Sequence, residues 1–240
     1  MARQEVLLLA ITRMLSGICT AGFIQEPDPV TGLTWVRPVK AFDTLLAEDM
    51  AGDDGTLPRC GDVVELDLRE PRPQPPHVED RLAELIRHRP HVVDRLEGAD
   101  WAKFLAGHLD PAPEDVLCTG KRSLCLVQPE DVWANFSLDN YSGKFEARMG
   151  FRLAGEANHP RAVSQRGVSV TCLEWEARGR QWLSDHGGSL VLDREALLER
   201  LGAEAVYLTV GLSRAYRGEY WPLVVGVHAV AAEAGARHAG

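Results

Sequence analysis

The chain lacks the features of a membrane protein, of a zinc protein and of a secreted disulfide scaffold. No run approaches the ~18 apolar residues that a transmembrane helix needs. Arg13 interrupts the apolar stretch that begins at Val6, and no cleavage context of a signal peptide follows. The five cysteines are odd in number and scattered, without a CxxC motif or a Cys/His pair at zinc-finger spacing. We therefore expect a soluble cytoplasmic protein that binds no metal.

Catalytic motifs are absent as well. The sequence contains no G-x-S-x-G, no Walker loop and no H-E-x-x-H. Asp185, His186 and Ser189 are close in sequence, but a functional triad is assembled across the fold rather than along the chain. We therefore expect no catalytic residue and no cofactor. An enzyme with an unrecognised active site is a third alternative, after the two functions given below.

Lysine is scarce, and positive charge is outweighed by negative charge. The chain has 26 basic and 35 acidic residues, a formal net charge of −9. Such a balance argues against a generally basic nucleic-acid binder, because phosphate contacts need clustered Lys and Arg. Residues 1–120 hold 12 basic and 21 acidic residues, whereas residues 121–180 hold 9 and 7. Any anion-binding face is therefore local and is expected in the second half.

What the chain does have is a similar pattern near each end. Residues 17–22 form an apolar strand-like segment, and a turn leads to residues 33–39, which contain a Trp. Residues 206–214 and 220–227 repeat this arrangement. In each pair an Arg lies at or beside the turn. The pattern is typical of a β-hairpin whose aromatic and cationic side chains face a ligand.

Periodicity and turn residues predict a mainly β chain. A proline cluster at residues 71–76 separates four predicted strands from a helical region, which in turn precedes a second β-rich part beginning at Lys121. Strands are predicted over 5–12, 17–24, 33–39, 61–68, 123–127, 144–153, 168–174, 206–212 and 221–230, and helices over 78–86, 92–105 and 194–201, the last capped by Asp193. Short strands without intervening helices favour a small barrel.

Several of these segments resemble the bacterial dual OB-containing domain family. The resemblance rests on residues 17–22, on the Trp-Val-Arg-Pro-Val sequence at 35–39 and on the closing hairpin at 207–227. It rests further on Gln74 followed by Glu79-Asp80, where the family tends to show Gln followed by Glu-Asn. It spans roughly residues 5–230.

The resemblance implies two OB-like barrels in tandem, in proteins tied to prokaryotic defence and nucleic-acid processing that act beside separate effector proteins. No catalytic residues come with it. The predicted fold class is α+β, mostly β, with two small OB-like β-barrels joined by a helical bridge. The predicted divisions are a first barrel at 1–76, a helical bridge at 77–120, a second barrel with one inserted helix at 121–230 and a flexible tail at 231–240.

OB barrels bind single strands with an aromatic platform and a cationic groove. In the first barrel, Trp35 and Arg37 are the candidates for these two roles. The alternatives are that Trp35 packs into the mouth of the barrel and that Arg37 pairs with an acidic neighbour.

In the second barrel, Lys144, Arg148 and Arg152 share one face with Glu146, because side chains two apart on a strand project in the same direction. This stripe is predicted to be either a groove for a polyanion or an ordinary solvated sheet face. The other candidate nucleic-acid-binding residues are Lys121, Arg122, Arg214, Tyr216, Arg217 and Trp221.

Two functions follow from the sequence. The first is a nucleic-acid-binding module, for single-stranded RNA or DNA, that works with a separate effector protein. The second is a scaffold that docks a partner protein through its acidic first half and binds no nucleic acid. Salt dependence separates them, because phosphate binding weakens steeply with salt and an apolar protein interface hardly does.

Overall fold

Thirteen strands and five helices make up the described part of the chain, residues 3–14, 16–139 and 141–231, in the computed structural model. The strands are β1 (Gln4–Arg13), β2 (Ile18–Ile24), β3 (Trp35–Val39), β4 (Asp62–Pro71), β5 (Asp80–Glu84), β6 (His91–Arg95), β7 (Leu124–Val127), β8 (Asp131–Leu138), β9 (Phe145–Arg152), β10 (Val168–Ser169), β11 (Ser189–Leu192), β12 (Ala205–Leu212) and β13 (Pro222–Val230). The helices are α1 (Ala47–Met50), α2 (Gly98–Gly107), α3 (Glu114–Leu117), α4 (Leu173–His186) and α5 (Arg194–Leu201). None of these helices is long and apolar enough to cross a membrane. Of the predicted flexible tail, residues 232–240 lie outside the described residues.

The first five strands close into a barrel. Their order is β1-β2-β3-β5-β4, and β4 pairs back onto β1, with Val6 opposite both Ile24 of β2 and Val64 of β4. All neighbours are antiparallel except β3 and β5, which run parallel. Because alternate residues of each strand point inward, Val6, Leu8, Val64 and Leu66 fill the barrel interior. The closed ring has the strand order of an OB-type barrel.

Two predicted helices of the bridge are corrected by the structure. Residues 78–86 contribute strand β5 instead of a helix, and the segment predicted as a helix over 92–105 begins as strand β6 and becomes helical only at α2. A short segment of mixed apolar and charged residues fits both periodicities, and for residues 80–84 pairing with β3 and β4 decides the outcome. The strand that completes the first barrel therefore lies inside the predicted bridge.

The second half repeats the strand order of the first. Strands β8, β9 and β10 form one sheet with β11 at its edge, and β7, β12 and β13 form another. Strand β7 leads into β8 after three residues, and a parallel bridge between Val170 and Val224 joins the end of β10 to β13. The ring β7/β8-β9-β10-β13-β12 again places its third strand parallel to its fifth. The predicted fold class, mostly β with OB-like barrels, is confirmed.

The second half also differs from prediction in two places. Strand β8 was not predicted, and of the strand predicted over 168–174 only Val168 and Ser169 form a strand, while helix α4 begins at Leu173. The apolar residues Trp175 and Leu183 of α4 are buried in the core of the second barrel against Phe136. The predicted helix over 194–201 is present as α5, and the Asp193 carboxylate accepts a hydrogen bond from the Ala196 backbone N–H at 2.9 Å.

The two barrels pack against each other through a shared apolar cluster. It combines Leu9 and Ala21 of the first barrel with Leu126 and Val225 of the second, and Leu105 of α2 completes it. A backbone hydrogen bond from the Arg13 N–H to the Thr171 carbonyl, 2.9 Å long, lies at the same contact. Burial of these side chains stabilises the arrangement through the hydrophobic effect.

One buried histidine beside this contact makes the fold sensitive to acid. Burial lowers the pKa of His228 to about 3 from an ordinary value of 6.5. Below pH 6.5 the unfolded chain therefore binds a proton at this site that the folded chain excludes. Stability is lost progressively as the pH falls from 6.5 toward 3, and at pH 5 the expected loss is about 2 kcal/mol.

Urea unfolding of the wild type and His228→Gln at pH 7.5 and pH 5 measures this contribution. The variant keeps a polar side chain near Thr209 Oγ1, which lies 2.9 Å from His228 Nε2. Its loss of stability between the two pH values is expected to be smaller by about 2 kcal/mol. Equal losses in both proteins would contradict the assignment.

Candidate functional site

The outer face of β8 and β9 carries an open groove of about 790 Å³. Along β9 the apolar side chains from Phe145 to Phe151 alternate into the barrel core, so Glu146, Arg148 and Arg152 project outward and line the groove. The shared face predicted for the stripe is therefore present for these three residues. Lys144 is exposed in the turn that precedes β9 and does not line the groove.

An indole ring lies in the groove. Trp133 of β8 is directly opposite Gly150 of β9, and a Cβ atom at Gly150 would overlap the indole ring. The glycine thus lets the ring lie against the strand. The Trp133 Nε1–H donates a hydrogen bond to the Gln165 carbonyl at 2.9 Å, which fixes the orientation of the ring, and the side chain remains partly exposed.

The loop 164–167 holds this face together. Arg148 Nη2 donates to the Gly167 carbonyl at 2.8 Å, and Asn135 Nδ2 donates to the Gln165 carbonyl at 3.2 Å. Gly167 has a positive φ of 69°, and a Cβ atom there would overlap the backbone of Met149. The loop therefore packs directly on β9, and it anchors the two side chains that shape the groove, Trp133 and Arg148.

The charges in the groove are mixed, with cations in excess. Burial lowers the pKa of Arg148, and the charge of Arg166 acts in the same direction. Arg166 pairs with Glu146 at 3.2 Å, whereas within the described residues the side chains of Arg152 and Arg194 form no hydrogen bond or ion pair. The groove is lined by four arginines and three carboxylates, namely Arg148, Arg152, Arg166, Arg194, Asp131, Glu146 and Asp193. Two arginines, Arg152 and Arg194, are thus available to an anion in the groove that contains Trp133.

Sequence reasoning missed Trp133, Arg166 and Arg194. Trp133 could have been found from the alternation of residues 131–138, in which Val132, Ala134 and Phe136 are buried. Nothing local in the sequence places Arg166 and Arg194 beside the stripe, because they come from a loop and from the start of α5.

In the first barrel, the predicted platform is buried. The Trp35 side chain is 6% exposed and packs on Phe23 with 4.4 Å between ring centroids, so its ring presents no open face to a base. Arg37 is likewise buried, and its Nε donates to Asp80 Oδ1 at 2.5 Å, so it presents no guanidinium to a surface phosphate. For both residues the structural alternative is the one observed.

Lys121 and Arg122 each form an ion pair within the chain. Lys121 Nζ lies 2.7 Å from Asp115 Oδ1, and Arg122 donates to both carboxylate oxygens of Asp110, at 2.5 and 2.6 Å. Neither residue lines the groove. Both side chains thus fix the segment between α3 and β7.

The remaining predicted residues lie in or beside the loop between β12 and β13. Tyr216 is exposed, with the Arg217 guanidinium carbon 5.4 Å from the centroid of its ring, while the Arg161 guanidinium covers Trp221 at 3.2 Å. Arg214 lies at the contact between the barrels, with Nη2 3.5 Å from Asp80 Oδ2. The structure therefore unites Arg148 and Arg152 in one groove but places this second group elsewhere.

The described residues include no group of three or more His, Cys, Asp or Glu side chains arranged to hold a metal ion.

A family comparison matches the dual OB-containing domain to residues 4–165, which is more than half of the chain. Comparisons with curated proteins and with solved structures find no match. The matched part contains the complete first barrel and strands β7 to β9 of the second. The chain therefore belongs to the dual OB-containing domain family.

Proposed function

We propose that the protein is a non-catalytic module that binds single-stranded nucleic acid in the groove on β8 and β9. The observation that carries the proposal is a partly exposed Trp133 in one groove with Arg152 and Arg194, two arginines without ion pairs in the described chain. Bases stack on aromatic rings irrespective of sequence, and guanidinium groups contact phosphates. These are the two elements of a single-strand site.

The position of the groove overlaps in part with the usual binding face of OB barrels, which bind oligonucleotides on their second and third strands. In the second barrel these strands correspond to β9 and β10. The groove includes β9 through Arg148 and Arg152, and Arg148 also donates to Ser169 Oγ of β10 at 3.3 Å, whereas Trp133 comes from the first strand, β8. A single strand fits better than a duplex, because stacking on Trp133 requires an unpaired base.

We further propose that the module acts with a separate effector protein in prokaryotic defence or nucleic-acid processing. Membership of the dual OB-containing domain family supports this role, together with the absence of recognised catalytic motifs from the sequence. Any reaction on the bound strand is then catalysed by the effector protein.

A second candidate is a scaffold that docks a partner protein and binds no nucleic acid. The nine excess negative charges in residues 1–120, from 12 basic and 21 acidic residues, favour it. Exposed apolar side chains on the first half, Phe42 at 84% and Ile86 at 82%, offer contacts for a partner.

Fluorescence anisotropy with labelled single-stranded RNA and DNA, at low and moderate salt, tests the proposal. Trp133→Ala is expected to weaken binding by about 1–3 kcal/mol, roughly 5- to 150-fold, with little change in salt dependence. Arg152→Glu/Arg194→Glu is expected to reduce the slope of log K against log salt by about 1.4, which corresponds to two phosphate contacts.

Arg87→Glu/Arg89→Glu is the matched control, because it makes the same charge change at two exposed positions of the first barrel. It is expected to retain wild-type affinity to within a few fold. A folded wild type that binds neither strand at low salt would overturn the proposal and favour the scaffold. Equal losses in the groove variant and the control would also exclude the groove as the site.

A further inference from the structure

A second cavity, of about 410 Å³, lies where the two barrels meet. Its walls combine Ala10 and Ala21 of the first barrel with Leu124, Leu223 and Val225 of the second. The volume falls in the range of small-molecule sites, and apolar walls with a few polar groups are typical of them. The groove on β8 and β9 shares no lining residue with this cavity.

The charged residues that line this cavity are Arg13, Arg37 and Arg214, and no carboxylate of the described chain lines it. Their partners lie outside the lining. Glu176 binds Arg13 at 2.7 Å, and Asp80 binds both Arg37, at 2.5 Å, and Arg214, at 3.5 Å. The carboxylates thus hold the guanidinium groups in place, while the cavity itself is bordered by cations.

Two buried side chains of the lining have unsatisfied polar atoms. Arg37 uses Nε for Asp80 and Nη1 for Ser123 Oγ, at 3.4 Å, but Nη2 has no partner among the described residues. Neither ring nitrogen of His77 has a hydrogen-bond partner among the described residues, and burial lowers the pKa of this imidazole to about 3. Buried polar atoms without partners are rare in native proteins, so each of them calls for an explanation.

We propose that this cavity binds a small organic anion, in which an apolar or aromatic body carries one anionic group. The anionic group contacts the half-exposed guanidinium of Arg214, whose partner Asp80 also binds the buried Arg37, and the body lies against Leu124, Leu223 and Val225. An inorganic anion alone would leave these apolar walls uncovered. A nucleic-acid strand would need cations spaced along a track, whereas here the two arginines concentrate the charge at one place.

The test uses the fluorescent probe 8-anilinonaphthalene-1-sulfonate, an aromatic body with one sulfonate, titrated into the intact protein. The wild type is expected to bind it saturably. Arg214→Met is expected to weaken binding about tenfold, the effect of losing one charge-assisted hydrogen bond. Ala215→Trp is expected to weaken it at least as much, because Ala215 is an exposed residue of the lining where a large ring would occupy the opening.

Arg217→Met is the matched control, because it removes a charge from the same loop at a residue that does not line the cavity. Its affinity is expected to equal that of the wild type. Displacement by adenosine monophosphate identifies a nucleotide-like ligand, and displacement by octanoate an aliphatic acid. Failure of both competitors, or unchanged binding in Arg214→Met and Ala215→Trp, would overturn the proposal.

The same titration on Trp133→Ala distinguishes probe bound in the cavity from probe bound in the groove. This variant is expected to bind the probe like the wild type, because Trp133 does not line the cavity. The groove proposal and the cavity proposal can therefore be overturned independently of each other.

Discussion

Replacing Asp80 by Ala is expected to lower the free energy of unfolding by about 3–5 kcal/mol, which is the effect of removing one partner of a buried ion pair. The side chains of Asp80 and Arg37 are 6% and 7% exposed. Without the carboxylate, the Arg37 guanidinium stays buried and loses its ion-pair partner. Glu79 cannot replace that partner without giving up its own hydrogen bonds to Ser123 and Leu124.

Urea unfolding of three variants tests this expectation. Glu70→Ala removes a pair with Arg72 in which both side chains are at least half exposed, so little change is expected. Arg37→Met/Asp80→Leu removes both buried charges and is expected to recover most of the stability that Asp80→Ala loses. An Asp80→Ala protein as stable as Glu70→Ala would show that the buried pair contributes nothing.

The same network explains one element of the family resemblance, the Glu79-Asp80 pair. The Glu79 carboxylate accepts hydrogen bonds from the Ser123 N–H and hydroxyl, both at 2.8 Å, and from the Leu124 N–H at 3.1 Å. Glu79 lies immediately before β5 of the first barrel, and Ser123 immediately before β7 of the second. Glu79 and Asp80 therefore connect the barrels, and their role is structural.

The sequence predicts elements well where the signal is local. Strands β1 to β4 follow from alternation and turn residues, and α5 follows from the Asp193 cap. Strand β5 does not, because its five residues satisfy both periods and only pairing with β3 and β4 makes them a strand. Strand β8 was also missed, although the alternation of Val132, Ala134 and Phe136 over residues 131–138 is a local signal for a strand.

The candidate site was predicted in part for a similar reason. The outward face of β9 follows from alternation alone, so Arg148 and Arg152 were identified. Trp35 has the sequence context of an exposed platform, yet the packing of the second barrel and α2 on the first buries it in the shared cluster. Burial that results from the packing of one domain on another cannot be predicted from the local periodicity of the sequence.

Gly167→Ala is expected to lower the free energy of unfolding by about 3 kcal/mol, from two separable causes. A non-glycine residue at a φ of +69° is strained, which costs about 1–2 kcal/mol. In addition, the new Cβ would overlap the Met149 backbone, which cannot move aside as a flexible side chain can, and such overpacking costs about 1–3 kcal/mol.

Gly155→Ala separates the two causes. Gly155 has a similar φ of 77°, but no atom lies within 4 Å of its added Cβ, so this variant measures the backbone strain alone. The difference between the two variants in urea unfolding is the cost of displacing the loop from β9. Equal destabilisation of Gly167→Ala and Gly155→Ala would show that the loop moves away from β9 without an energetic cost.

The displacement has a functional consequence as well. The loop fixes Trp133 through the Gln165 carbonyl and Arg148 through the Gly167 carbonyl, so shifting it moves both the indole ring and a guanidinium of the groove. Gly167→Ala is therefore expected to weaken nucleic-acid binding at least as much as Trp133→Ala, measured by anisotropy where the variant is fully folded. Gly155→Ala is expected to bind like the wild type, because its site of change does not line the groove. Full binding by a destabilised Gly167→Ala protein would separate the loop from recognition and leave Arg152 and Arg194 as its main determinants.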